Sequence, residues 1–493
     1  MAYYTKDKPP NRAGPLKPDD YSDVGQAKVL VARYHDCLRY TKQTGYLFYD
    51  QHYWIESALR AQKCVQELTE AQLAEAEDEV AEILVQFSQT GALDLLFSKN
   101  PATNLTDPQK KLQAKYKSAD AYRKFVLRRR NTNYISAALK EAAPMLEIQI
   151  EDLDANGFFL NTPAGTIDLR KDLEGLMPHR AEDYITTITA VSPGVQGKGE
   201  WKAFLQTICC NDQELEDYIQ QVCGLAAIGK VYVEALVIAI GSGRNGKSTF
   251  FNTIARVLGS YSGNLSADVL TQECHRNAKP ELAELRGKRL IIASELKSDT
   301  RLSDSMVKQL CSTDQIYAEK KYHAPFSFSP CHTLILFTNH LPAVTASDDG
   351  TWRRLIVIPF NAKIEGSADI KNYADHLYRT AGPAIRSWII EGAKTVIDNQ
   401  FKLTPPPCVT DAIANYRQAN DWFSQFLECC CTVGEDKSVN SADLYRGYRS
   451  YCESQCETAQ STTAFYRALD SAGYKRVRRS GRSIITGLGL KYN

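Results

Sequence analysis

The feature that most constrains this chain is the junction of a continuous apolar run, 235-ALVIAI-240, with the glycine-rich octet 241-GSGRNGKS-248. A short run that is apolar at every position suits a strand buried on both faces. The octet has the spacing G-x-x-x-x-G-K-[ST], and Thr249–Ile254 behind it reads as the start of a helix. Strand, glycine turn and helix in that order form a cradle for phosphate. The turn's N–H groups wrap the oxygens and the helix N-terminus adds its dipole. Gly241, Ser242, Gly243, Arg244, Asn245, Gly246, Lys247, Ser248 and Thr249 are then the nucleotide-contacting set. Lys247 can reach the β- and γ-phosphates of ATP, and the Ser248 hydroxyl can ligate Mg²⁺.

Three more apolar runs follow, at 289-RLIIAS-294, 333-TLILFT-338 and 355-LIVIPF-360, with helical segments between them. That alternation predicts an α/β domain built on a mainly parallel sheet. Glu295 ends the first of these runs, where its carboxylate can orient or deprotonate the attacking water and join the outer shell of the metal. Ser294 stands where an Asp for the metal shell is common. Asn339 ends the second run. A polar side chain there needs hydrogen-bond work, and beside Glu295 it can position the water or report the γ-phosphate. Arg353 and Arg354 precede the third run, well placed to project from one edge of the domain toward phosphate charge.

The 493 residues allow two to four domains. We read 1–25 as a flexible leader, 26–195 as a mostly helical N-terminal α+β domain, 196–400 as the phosphate-loop domain with flanking helices, and 411–493 as a small C-terminal domain. The aromatic alternation in 45-GYLFYDQHYWIE-56 predicts a hairpin, and 157-GFFLNTPAGTIDLR-170 predicts strand, turn, strand. The remainder after about 411 reads as three helices and a short basic β-like end. No apolar run approaches the roughly 20 residues of a membrane span. The opening residues carry no secretory signal, so a cytoplasmic protein without a membrane partner is expected. The 14 cysteines sit mostly in apolar stretches and read as reduced thiols rather than disulfides or metal ligands. With a formal net charge of +1, attraction to nucleic acid must be local. The basic segments are 123-RKFVLRRR-130 and 475-KRVRRSGR-482.

The motif order resembles the superfamily 3 helicases, and more closely the poxvirus and phage/plasmid primase–helicase C-terminal family. The resemblance is carried by GSGRNGKSTF, LRGKRLIIASEL, 308-KQLCSTDQIYAEKKYHAPFSFSP-330, TNHLP and DDGTWRRLIVIPF. It implies an AAA+-like P-loop domain assembled as a ring, usually a hexamer, with ATP between neighbouring subunits. Lys247, Ser248, Glu295 and Asn339 would face ATP from one side. Arg354, with Arg353 close behind, would supply the finger from the next subunit. The resemblance makes 411–493 a winged-helix domain, with Arg476, Arg478 and Arg479 touching DNA. It makes the segment around Lys320, Lys321, Tyr322 and His323 a pore hairpin gripping single-stranded DNA by phosphate contact and stacking. The chain departs from many relatives at Ser312–Asp314, where Gly-Gly-Asp is usual, and at Glu319, where Arg is usual.

The implied activity is ATP hydrolysis coupled to unwinding of single-stranded or forked DNA. The setting is replication of a phage or plasmid in a bacterial cytoplasm, with a separate primase among the possible partners. The N-terminal part shows no metal-binding acidic cluster, so no primase activity is expected of it. The alternatives are an ATP-controlled DNA-binding initiator or scaffold that unwinds little, and a P-loop kinase of small molecules. The basic tail and the Trp352-Arg353-Arg354 motif speak against the kinase.

Overall fold

The computed structural model describes residues 14–97, 105–297, 300–319, 325–344, 349–366, 369–455, 459–479 and 482–491. Its centre is a five-stranded parallel sheet: β1 Leu236–Ile240, β2 Ser262–Ser266, β3 Leu290–Ser294, β4 Thr333–Thr338 and β5 Leu355–Pro359. The spatial order is β5-β1-β4-β3-β2. The four apolar runs are four of these strands. The fifth, β2, has the sequence Ser-Gly-Asn-Leu-Ser and lies at an edge, where one side goes unpaired and polar residues are tolerated.

The apolar runs are continuous because both faces of the sheet are covered. Val237, Ala239, Ile292, Ile335, Phe337 and Ile358 point into one core, which also takes in Phe250 and Phe251 of the helix Lys247–Leu258 and Ile385 and Ile389 of the helix Tyr373–Asp398. The alternate residues Leu236, Ile238, Ile291, Leu334, Leu336 and Val357 point into a second core with Val307, Leu310 and Trp352. Residues i and i+2 share a face, so each strand feeds both cores. Truncating one such side chain, Ile238→Ala for example, costs about 2–5 kcal/mol.

The N-terminal region packs the helices Asp23–Tyr34, Ala58–Gln89, Asp107–Arg129 and Thr132–Ala142 with a three-stranded meander of Leu38–Thr41, Gly45–Tyr49 and Trp54–Glu56. The expected hairpin is thus two strands of a meander. Phe159–Thr162 pairs antiparallel with Gly165–Asp168, as the sequence predicts. The basic run at 123–130 lies on and just past a helix end and is largely paired. Arg129 is buried against Asp23, Arg123 and Lys124 meet Asp120, and Arg130 meets Glu70.

At the C-terminal end the order is helix Trp422–Cys430, strand Cys431–Asn440, helices Ser441–Ser454 and Thr462–Ser471, then strands Arg476–Arg479 and Arg482–Leu490. The last strand is central in a three-stranded antiparallel sheet. The strand Cys431–Asn440 does not figure in the sequence reading. It is an edge strand, polar and largely exposed over Thr432–Lys437, and so has no apolar run. Among the described residues no helix is long and apolar enough to cross a membrane.

Candidate nucleotide site

Parallel pairing brings the carboxyl ends of β1, β4 and β3 side by side. The register sets Thr338 against Ile240 and Phe337 against Ser294. Gly241, Asn339 and Glu295 therefore follow their strands at one edge, with β4 between the other two at a spacing of about 4.8 Å per strand. Carboxyl ends of strands in open α/β sheets are where ligands bind.

The loop after β1 needs its glycines. A Cβ at Gly241 would stand 2.1 Å from Asn245 Nδ2 and 2.4 Å from the Phe360 carbonyl oxygen. At Gly246, φ is +81° and a Cβ would press on Ile208 at 2.5 Å. Gly246 caps the helix Lys247–Leu258, so the first N–H groups of that helix face the loop. Two contacts tie the loop to the chain after β5. Asn245 Nδ2 donates to the Phe360 carbonyl at 3.2 Å, and Ile364 N donates to the Arg244 carbonyl at 2.7 Å.

Lys247 is only 4% exposed. Its ammonium donates to the Gly241 carbonyl at 2.7 Å, to Asn245 Oδ1 at 3.0 Å and to Asn339 Oδ1 at 3.2 Å. All three acceptors are neutral, and burial pulls the lysine pKa below its ordinary value. Glu295 leaves β3 with φ +60°, a left-handed conformation that a non-glycine residue adopts at a cost of roughly 1 kcal/mol. Its N–H still donates to the Phe337 carbonyl at 3.2 Å, so the backbone stays in the sheet while the chain turns outward. Among the described residues nothing hydrogen-bonds the Glu295 carboxylate.

Lys247, Ser248, Glu295, Asn339 and His340 line one open groove of about 380 Å³. Its surfaces are chiefly polar, and it joins cationic, hydroxyl and carboxylate groups from three separate chain segments. Ser248 is exposed there, so the groove holds two hard oxygen donors, its hydroxyl and the Glu295 carboxylate. His340 is the residue the sequence reading missed. It directly follows Asn339, and only the turn after β4 brings it to the groove, where Thr338 Oγ1 donates to its carbonyl at 3.0 Å.

The paired arginines are elsewhere. Leu355 is in register with Leu236, which places Arg353 and Arg354 at the amino edge of the sheet, about five residues or roughly 16 Å from the loop. Arg354 is held: it donates to Glu234 Oε2 at 2.7 Å and to the Gly350 carbonyl at 2.9 Å. Arg353 is exposed. On the C-terminal sheet Arg476 and Arg478 are exposed, and the Arg476 guanidinium lies 4.5 Å from the Tyr466 ring centre. Arg479 is on the same strand. Lys320, Lys321, Tyr322 and His323 lie outside the described residues.

Comparison with known proteins matches residues 27–210 to a family described as "D5 N terminal like" and residues 239–354 to a family of unknown function. The chain is 24% identical over 461 positions to "Putative helicase L207/L206" of Acanthamoeba polyphaga mimivirus, covering 87% of this chain and 45% of that protein. It is 27% identical over 230 positions to "Putative helicase 022R" of Frog virus 3, covering 43% of this chain and 23% of that protein. A solved structure titled "The A form apo structure of NrS-1 C terminal region-CTR" is 12% identical with a TM-score of 0.40, covering 60% of this chain and 77% of that one. Residues 27–210 are thus similar to the D5 N-terminal-like family, and most of the chain is similar, at low identity, to viral proteins named as putative helicases. The chain spans less than half the length of the curated relatives named here.

Proposed function

We propose that this chain is an ATP-dependent DNA translocase, a helicase that hydrolyses ATP at the groove between the Gly241–Ser248 loop and Glu295. The observation that carries this reading is the convergence of Lys247, Ser248, Glu295 and Asn339 on one groove at the carboxyl edge of the sheet. The order β5-β1-β4-β3-β2 supports an AAA+-like reading, because it inserts the Asn339 strand between the phosphate loop and the carboxylate strand.

Phosphate binding follows from the loop. The N–H groups at the start of the Lys247–Leu258 helix take the phosphate oxygens. The Lys247 ammonium exchanges its neutral acceptors for the β- and γ-phosphates, a stronger charge-assisted interaction. Glu295 orients and deprotonates the attacking water, and Asn339 holds that water or the γ-phosphate oxygen from the strand between. Ser248 and Glu295 would hold Mg²⁺, which when bound neutralises charge on the phosphates.

A ring arrangement is supported by the arginines. They stand at the far edge of the sheet from their own loop, so a finger role requires a neighbouring subunit. Since Glu234 occupies Arg354, the exposed Arg353 is the better placed of the two. The C-terminal order of helix, strand, two helices and two strands supports a winged-helix reading, with Arg476 and Arg478 facing the DNA backbone. Lys320, Lys321, Tyr322 and His323 are proposed as pore contacts on the sequence resemblance alone.

The test is turnover by the purified chain with and without single-stranded DNA, paired with strand displacement on a fork. Lys247→Ala should abolish nucleotide binding. Glu295→Gln should bind ATP while hydrolysis falls about 10²–10⁴-fold. A wild-type chain that consumes no ATP in the presence of single-stranded DNA would end this reading. ATP turnover without strand displacement would favour the initiator or scaffold instead.

A further inference from the structure

The helix Pro407–Asn420 connects the central domain to the C-terminal one, and it touches both the segment after Asn339 and the turn that carries Arg353 and Arg354. Tyr416 is 3% exposed and donates its hydroxyl to the Pro342 carbonyl, three residues beyond Asn339. Asn420 Oδ1 accepts from the Val344 N–H at 2.8 Å, and Asn420 Nδ2 donates back to the Tyr416 carbonyl at 2.8 Å. The segment after the groove is therefore fastened to the helix at two points.

The same face of the helix holds the arginine turn. The Tyr416 ring meets Trp352 edge-on at 5.3 Å, and the Arg417 guanidinium lies 6.0 Å from the Trp352 ring centre. Trp352 is followed at once by Arg353 and Arg354. Asn420 is the last residue of the helix, and Asp421 directly caps the next, accepting from the Ser424 N–H at 3.0 Å. A single residue thus separates the helix from the first helix of the C-terminal domain, which leaves little slack between them. A cleft of about 350 Å³, lined by Trp352, Arg417 and Arg467 among others, lies beside this junction.

We infer that the helix Pro407–Asn420 couples nucleotide state to DNA grip, with Tyr416 and Asn420 as positioning residues for Asn339 and for the arginine turn. A change at Asn339 on phosphate binding pulls on Pro342 and Val344, turns the helix, and reaches the DNA-facing domain and the neighbour-facing arginines together. The coupling is reciprocal, because both ligands bias one element. This inference rests on the proposed ATP-dependent action on DNA.

The experiment measures the affinity of the full chain for a fluorescent single-stranded oligonucleotide, with and without a non-hydrolysable ATP analogue. In the wild type the analogue should change DNA affinity about fivefold or more. In a Tyr416→Phe/Asn420→Ala double variant that factor should fall to within about twofold of unity, while each ligand alone binds nearly as in the wild type. Asn420→Asp keeps the acceptor for the Val344 N–H and should restore most of the coupling. Should the double variant fail to fold, Tyr416→Phe decides alone, since it removes one oxygen and keeps the ring. Coupling that persists in the substituted chains overturns the inference, as does a wild type that binds both ligands without mutual effect. A wild type that binds neither ligand overturns the proposed function, and this inference with it.

Discussion

The ammonium of Lys247 lies 3.2 Å from Asn339 Oδ1, across 92 residues of sequence, and β4 is the element that makes the contact possible. The tip of β4 stands between the phosphate loop and Glu295, so Asn339 can report to both. Asn339→Ala removes an acceptor from Lys247 and, on the proposed mechanism, a donor to the reacting groups. ATP affinity should change by only a few fold, while kcat falls about a hundredfold, the usual cost of one well-placed transition-state donor. Steady-state ATPase kinetics separate the two; a pure KM effect would reduce Asn339 to a loop support.

Arg353 and Arg354 should behave differently. Arg354 is partly buried and paired with Glu234, whose carboxylate is over a third exposed and can be rehydrated, so Arg354→Ala should lower stability by only about 1 kcal/mol. Arg353→Ala should leave the melting temperature unchanged. If Arg353 acts on a neighbour, doping Arg353→Ala chains into wild type should depress turnover more steeply than simple dilution. A linear fall in proportion to the doped fraction would assign the finger elsewhere.

His332, just before β4, is fully enclosed, and burial pushes its pKa down to about 4 from 6.5. The unfolded chain takes up this proton below about pH 6.5 while the folded chain refuses it until about pH 4. Stability should therefore fall as pH drops through that window and flatten below it, by about 3 kcal/mol from this one group. His332→Leu should remove that part of the acid slope. Denaturant midpoints at pH 7.5, 5.5 and 4.5 test it, with parallel wild-type and variant curves as the contrary result.

Arg476 and Arg478 are exposed on the C-terminal sheet. If each contacts a DNA phosphate, its replacement by Ala should weaken binding evenly across sequences. Each should also reduce the slope of log affinity against log salt by about 0.7 on single-stranded DNA. Anisotropy titrations at several salt concentrations read this directly, and an unchanged slope would show that the strand does not meet the backbone.

Much of the central domain was legible because burial writes itself into composition. β1, β3, β4 and β5 are covered on both faces and so had to be apolar at nearly every position. The edge strands Ser262–Ser266 and Cys431–Asn440 left no such trace, since most of their residues are at least partly exposed and each sends only one fully buried side chain, Leu265 or Cys431, into a core. Lys247 could be picked out by the glycine spacing of its loop, and Glu295 and Asn339 because each directly follows a buried run, where a charged or amide group needs a reason. His340 stood in the same motif without a role, because nothing in one dimension says which way the turn after β4 carries it.

What the amino-acid order determined by itself was local: a glycine loop only these residues can form, the strand that feeds it, and the carboxylate and amide that end two other strands. Strand order, register and side-chain pairing belonged to the tertiary structure alone. They set β4 between β1 and β3, sent Arg354 to Glu234 while leaving Arg353 in solvent, and laid Tyr416 against both Pro342 and Trp352. The physical reason is range. Backbone propensity and burial act over a few residues, whereas these contacts join segments tens to more than a hundred residues apart, and depend on which surfaces the packed cores leave adjacent.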